Sequence, residues 1–170
     1  MGFLGALLLG YAALALQATV VPYVSIAGIR PDLPIVATVF LASKRGAGTG
    51  TVGGFLIGLG QDLTNPGFLG LNALAKSILG HSIGSLRERF DARTAATYAA
   101  ILFVATLVHD FIYLPIFTRL ALSEMLLGLA TRTLPTAVYT AVVGMWVSRL
   151  FGSMLGRRSY RLGRTPLASR

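Results

Sequence analysis

The 170-residue chain contains no cysteine, and its two histidines, His81 and His109, are too few for a histidine-based metal centre. The absence of cysteine excludes disulfides, iron–sulfur clusters and zinc–thiolate sites. Charged residues are also scarce, at 12%, whereas about a quarter of the residues of a soluble domain are charged. Because 54% of the residues are hydrophobic and the mean hydropathy is +0.71, the composition indicates an integral membrane protein.

The formal net charge of +9 comes from basic residues at the ends of apolar runs and in an arginine-rich tail over 151–170. No aromatic-rich basic face accompanies them, which disfavours nucleic-acid binding. If the N-terminus is cytoplasmic and six helices follow, eleven Lys and Arg residues are cytoplasmic and two are external, with Lys76 and Arg132 in the membrane. This asymmetry predicts that both termini are cytoplasmic, and we expect the tail to be attracted to anionic membrane lipid.

The apolar runs predict an all-α integral membrane protein, a compact bundle of six transmembrane helices. The predicted helices cover about 2–21, 33–43, 46–61, 69–86, 94–117 and 133–150. Residues 1–150 form one transmembrane domain in this interpretation, followed by the basic cytoplasmic tail 151–170, and 119–133 is predicted as an interfacial helix. A five-helix alternative fuses 33–61 into one helix, which would bury Lys44 and Arg45 at about 2.5–3.5 kcal/mol each.

The connection over 22–34 contains a motif that predicts a helix start. Three prolines, a glycine and the group Arg30–Pro31–Asp32 interrupt any helix in this stretch. Asp32 is followed by an apolar run, so its carboxylate is predicted to cap the second helix and to favour the positive end of the helix dipole. Pro34 then lies in the first turn, where its missing N–H has no cost.

Glycines recur every four residues over GAGTGTVGGFLIGLGQD, at Gly46, Gly50, Gly54 and Gly58. A four-residue step exceeds one helical turn by about 40°, so these positions form a slowly winding stripe without side chains. Such a stripe lets two helix backbones approach closely in lipid. It is therefore predicted to pack against another helix, which belongs either to this chain or to a partner.

Four polar residues are candidates for a buried polar or ion-pair site: Asp62, Asn72, Lys76 and Asp110. An ammonium near the middle of a membrane is expected to face the bundle interior and to find a partner there, and Asp62 and Asp110 are the available carboxylates. A structural ion pair that fixes helix register is favoured over a functional site. Outward snorkelling of Lys76 is the remaining alternative.

No set of residues indicates catalysis. His109 and Asp110 are adjacent, so on a helix they point about 100° apart and are not expected to hydrogen-bond to each other; a capping or interfacial role is favoured for them. Ser77 and His81 are one turn apart, but no third group is placed to orient the histidine. The sequence predicts neither an enzyme nor a cofactor or metal site.

Residues 14–84 contain a pattern that resembles the MreD family, the small polytopic subunit of the bacterial rod-shape machinery. The pattern comprises Leu16–Gln17, Pro22, Gly28, Pro31–Asp32–Leu33, Gly50-xxx-Gly54–Phe55-xx-Gly58–Leu59-xx-Asp62 and Leu69–Gly70–Leu71–Asn72-x-Leu74. The resemblance implies a six-helix, non-enzymatic protein of the bacterial inner membrane. It also implies that the protein acts together with MreC, a single-span protein. The wider complex would include MreB filaments, a RodA-type glycosyltransferase and a penicillin-binding transpeptidase.

The family's fold is similar to that of the S components of energy-coupling vitamin transporters, and this similarity supplies an alternative function. The first hypothesis is a membrane scaffold that binds MreC and helps to maintain cell shape through lateral peptidoglycan synthesis. The second is a subunit that binds a vitamin-type small molecule. A ligand cavity needs several converging polar groups. Since only Asp62, Asn72, Lys76 and Asp110 qualify, the sequence favours the scaffold.

Overall fold

The computed structural model describes residues 3–64, 66–89, 94–119 and 121–155, and these ranges are helical with no β-strand. The helices are α1 (Phe3–Thr19), α2 (Leu33–Arg45), α3 (Ala47–Asp62), α4 (Leu71–Leu86), α5 (Ala95–Phe117), α6 (Leu122–Gly128) and α7 (Leu134–Leu155). The predicted all-α class is thereby confirmed for the described residues. Most of the predicted tail, 156–170, lies outside them.

The boundary between α2 and α3 is set by a glycine. Asp32 caps the start of α2, where its Oδ1 accepts a hydrogen bond from the Ile35 N–H at 2.8 Å. After Lys44 and Arg45 the chain reaches Gly46, whose φ of +86° favours glycine over any residue with a side chain. Because this backbone conformation interrupts the helix, α2 and α3 are separate, and the fused helix of the five-helix alternative is wrong.

The last helical region is longer than predicted. The helix α6 continues through a widened π turn at Leu129–Thr133 directly into α7, and the backbone remains in the right-handed helical region at Gly128 and Leu134. The helix that contains the last predicted span, 133–150, therefore begins at Leu122, and the interfacial position of 119–133 stays a prediction. Pro135 lacks the N–H that would continue the regular hydrogen-bond pattern, and the widened turn accommodates this gap.

Two helices in the described residues are long and apolar enough to cross a membrane: Ala95–Phe117 and Leu122–Arg149. The helix α1 is apolar but shorter, and α2, α3 and α4 have 13 to 16 residues. A full span needs about 20 residues. Six spans thus remain a prediction from the sequence.

The pair α3–α4 is held together by direct backbone contact. The two helices are antiparallel, and a Cβ added at Gly50, Gly54 or Gly58 would collide with a backbone carbonyl of α4. Gly80 and Gly84 of α4 are just as close to the backbone near the start of α3. The two helices consequently pack without intervening side chains, as small residues permit in membranes.

The helix α2 lies at the centre of the fold, with eight of its 13 residues buried. One apolar cluster joins α2 to α4, α5 and α7 and includes Val39, Leu79 and Leu102. A second cluster, which includes Leu41 and Ile57, joins α2 to α1 and α3. The central position of α2 fixes the capping residue Asp32 at the point where both halves of the chain meet.

Large apolar side chains cover the outside of the molecule. Examples are Tyr11 on α1, Phe55 on α3, Phe111 on α5 and Trp146 on α7, each 46–73% exposed. Apolar surface this extensive is rare on a monomeric soluble protein. It is the surface expected of helices that face lipid or a membrane partner.

Candidate functional site

Polar side chains meet inside the fold near the helix ends beside the connections 20–32, 63–70 and 118–121. They are Asp32, Asp62, Asn72, Lys76, His109, Asp110 and Thr133, called the polar network below. They come from five different helical regions, so the network connects parts of the chain that are distant in sequence.

Lys76 of α4 lies at the centre of the polar network, and its side chain is fully buried. Its Nζ is 3.0 Å from the His109 Nε2 of α5 and 3.7 Å from the Asp32 Oδ2 at the start of α2. A longer contact of 3.4 Å joins it to the Asn72 Oδ1, one turn earlier on α4. The ammonium therefore has polar partners on three helical elements, as a buried charge requires.

His109 connects Lys76 to the π turn through Asp110. A lysine ammonium has only donors, so the His109 Nε2 is the acceptor and the ring proton is assigned to Nδ1. The Nδ1–H donates to the Asp110 Oδ1 at 2.9 Å, and the Thr133 hydroxyl donates to the Asp110 Oδ2 at 2.6 Å. A single chain of hydrogen bonds thus joins α4, α5 and the π turn, and it runs through Lys76, His109, Asp110 and Thr133.

Asp62, at the end of α3, holds the start of α4. Its two carboxylate oxygens accept hydrogen bonds from the backbone N–H groups of Gly70, Asn72 and Ala73 at 2.9–3.1 Å, and from the Asn72 side chain at 3.0 Å. These N–H groups belong to the first turn of α4, where a helix has unpaired donors and a partial positive charge. The hydrogen bonds and the partial positive charge of the helix end thereby stabilise the buried carboxylate.

Asp32 adds a link to α7. While its carboxylate caps α2 and lies beside Lys76, its backbone N–H donates to the buried Thr140 Oγ1 at 3.0 Å. The next N–H, of Leu33, donates to the Gln17 Oε1 of α1 at 2.9 Å. The short segment that begins with the buried Pro31 therefore binds to α1, α4 and α7 at once.

A family model described as rod shape-determining protein MreD matches residues 1–156. The chain belongs to the MreD family. This is a family of membrane proteins, and membership gives the chain a role in the determination of rod shape. No curated protein and no solved structure matches the chain.

In this MreD chain, the carboxylate nearest to Lys76 is not one of the two that the sequence analysis considered. Asp62 accepts hydrogen bonds from the start of α4, and Asp110 is connected to Lys76 only through the His109 ring. The direct partner is Asp32, which we had interpreted only as a helix cap. Asp32 and Asp62 both lie beside connections at the same end of the predicted helices, and this was the signal that could have indicated the pairing.

The expectation that His109 and Asp110 do not hydrogen-bond is wrong. Their Cβ atoms do point in different directions, but rotation about the side-chain bonds brings the Nδ1 and the carboxylate to 2.9 Å. His109 is buried inside the protein and is 4% exposed. No pattern in the sequence indicated the buried Thr133, whose hydroxyl donates to the Asp110 carboxylate.

The glycine positions of this MreD chain fall into two groups. Gly50, Gly54 and Gly58 lie against α4, so the stripe is covered from within the chain. Gly46 is the boundary residue between α2 and α3, and the Arg87 guanidinium lies about 3.0 Å from the position of a Cβ there. The stripe therefore contributes to the interior of the protein.

The polar groups of the network are bonded to one another. Among the described residues, Gln61 Oε1 is the single buried side-chain oxygen or nitrogen without a hydrogen-bond partner. No group of three His, Cys, Asp or Glu residues in the same ranges is placed to hold a metal ion. These hydrogen bonds and ion pairs fix the positions of α2, α4, α5 and the π turn relative to one another.

Proposed function

We propose that this MreD-family chain is a non-enzymatic scaffold of the bacterial rod complex in the inner membrane. In this proposal it has six spans, both termini are cytoplasmic, and it binds an MreC-type single-span protein. Through this partner it joins MreB filaments, a RodA-type glycosyltransferase and a penicillin-binding transpeptidase, and so helps to maintain lateral peptidoglycan synthesis.

The observation that carries the proposal is that the buried polar groups and the glycine stripe are in contact with other residues of the same chain. The polar network is bonded internally, and α3 and α4 are in backbone contact over three turns. A rigid interior supports a protein that acts through its outer surface, and that surface exposes large apolar side chains on α1, α3, α5 and α7. Partner helices in a membrane pack on surfaces of this kind.

The alternative function, a vitamin-binding S component, needs polar groups that are free to contact a ligand in a cavity. The candidate groups Asp62, Asn72, Lys76 and Asp110 are instead engaged with one another or with helix ends. Binding of a polar ligand there would first require these bonds to break. This cost favours the scaffold.

Depletion of the protein in its host, followed by rescue, tests the proposed role. Rescue by the wild-type chain is expected to restore rod width, whereas Gly54→Leu is expected to fail because its side chain cannot fit against the Lys76 carbonyl. Ser82→Leu is the matched control, since Ser82 is exposed on α4. Rods that keep their width on depletion would refute the role in cell shape.

The proposed orientation has its own test. The natural chain lacks cysteine, so single cysteines can be introduced at Tyr23, which is 90% exposed in the connection before α2, and at the exposed Glu88 after α4. An impermeant thiol reagent added outside the inner membrane is expected to label Tyr23→Cys and not Glu88→Cys. The reverse pattern would contradict the orientation, and labelling of both would contradict the number of spans.

A further inference from the structure

An apolar groove of about 500 Å³ lies between α1 and α3 on the outer surface. Gly10 and Tyr11 line it on α1, and Gly48, Gly53 and Ile57 line it on α3. The polar network uses none of these residues. Gly48 forms part of the floor, and a Cβ added there would meet nothing within 4 Å. The groove is therefore open space beside a helix and not a packing contact.

The length of the groove matches one leaflet of a bilayer. From Gly48 to Ile57 the helix rises by about 14 Å, at roughly 1.5 Å per residue. Half of the hydrocarbon thickness is about 15 Å. At the other end of the groove α1 and α3 are in side-chain contact, because Ile57 packs against Gly10 and Leu14 packs against Gly60. A phospholipid acyl chain extends through one leaflet, which is the length of this groove.

Basic residues precede the Gly48 end of the groove in the chain. Lys44 and Arg45 form the last turn of α2, two residues before α3 begins. The Arg87 guanidinium lies beside Gly46 in the same turn. The nearby carboxylate is Glu88, which is 4.0 Å from Arg87, so the cations outnumber it. An anionic headgroup complements this end, and a neutral one does not.

We propose that the groove binds one acyl chain of an anionic phospholipid whose phosphate contacts Lys44 and Arg45. The apolar floor accommodates the chain, and the two cations select the headgroup. This inference rests on the proposed orientation, which places the turn at Gly46 in the cytoplasmic leaflet. It does not depend on the role in cell shape, so the lipid measurement can fail or succeed independently of the rescue experiment.

The test is native mass spectrometry of the full chain in detergent, with phosphatidylglycerol or phosphatidylcholine of identical acyl chains added. The wild type is expected to retain phosphatidylglycerol preferentially. A Lys44→Gln/Arg45→Gln variant is expected to lose this preference by about fivefold per charge removed. Gly48→Leu is expected to abolish retention of both lipids, because a Cβ at this position meets nothing within 4 Å and the leucine side chain would extend into the groove.

Two controls separate the groove from general effects. Ser82→Leu adds similar bulk on the exposed face of α4, and Arg132→Gln removes an exposed cation near the π turn; both are expected to retain lipid as the wild type does. Equal retention of the two lipids by the wild type would overturn the proposal. So would a Gly48→Leu variant that binds lipid normally but no longer copurifies with an MreC-type protein, since the groove would then hold a partner helix.

Discussion

Replacement of Gly54 by alanine tests whether the backbone contact between α3 and α4 holds the fold together. An added Cβ would lie 2.7 Å from the Lys76 carbonyl carbon and 3.2 Å from the Thr38 Cγ2. Non-bonded carbon atoms prefer about 3.5–4.0 Å, so the helices must separate by roughly 1 Å. This separation would also loosen the contacts at Gly50 and Gly58 on either side.

The expected magnitude is the difference between two opposing effects. Overpacking of a tight contact costs about 1–3 kcal/mol, and the loss of three adjacent contacts places Gly54→Ala at the upper end. Alanine in place of glycine in a helix gains about 1 kcal/mol in return. The free energy of unfolding should thus fall by about 2 kcal/mol, which corresponds to a loss of roughly 4–8 °C in Tm for a chain of this length.

The matched control is Gly48→Ala on the same helix, where a Cβ has nothing within 4 Å. It gains the same helix propensity without the overpacking, so its Tm should rise slightly above that of the wild type. Both variants are measured by thermal unfolding of the purified full chain in one detergent. If Gly54→Ala is as stable as Gly48→Ala, the backbone contact does not determine the stability of this pair, and the reasoning fails.

Two further substitutions test the polar network by the same unfolding measurement. Lys76→Met removes the ammonium, so the Asp32 Oδ2 loses its ion-pair partner and the His109 Nε2 loses its donor, and the free energy of unfolding should fall by about 3 kcal/mol. A change below about 0.5 kcal/mol would contradict a structural role for the ion pair. Asp62→Asn turns an amide N–H₂ toward the N–H groups of α4 and should cost about 2 kcal/mol. Glu124→Gln is the control for this loss of a carboxylate, since Glu124 is exposed, and an equal effect in both would refute the capping assignment.

Local signals in the sequence predicted the features that depend on neighbouring residues. Asp32 before an apolar run predicted the cap of α2, and the cost of burying Lys44 and Arg45 in one fused helix favoured the division between α2 and α3. The four-residue glycine period predicted a helix face that packs closely. In each case a short stretch contains the physical cause, whether an unpaired N–H, a pair of charges or a missing side chain.

Features that depend on distant parts of the chain were missed. The pairing of Asp32 with Lys76 requires the connection before α2 to lie over α4, which no local pattern shows. The contact between His109 and Asp110 depends on Thr133 and on side-chain rotation, whereas the periodicity argument used only Cβ directions. The continuity of α6 with α7 depends on a π turn that local propensity does not predict.

The two ends of the molecule are built in opposite ways. At the end that contains Lys76, charges are buried and each has specific partners on other helices, an arrangement that stabilises little but permits one register of α2, α4 and α5. At the end that contains Gly46, Lys44 and Glu88 are at the surface and an apolar groove lies between α1 and α3. A scaffold needs the first property to keep its partner-binding faces fixed. The second leaves the end at Gly46, which is cytoplasmic in the proposed orientation, open to lipid, so contact with the membrane need not disturb the helix arrangement that the polar network maintains.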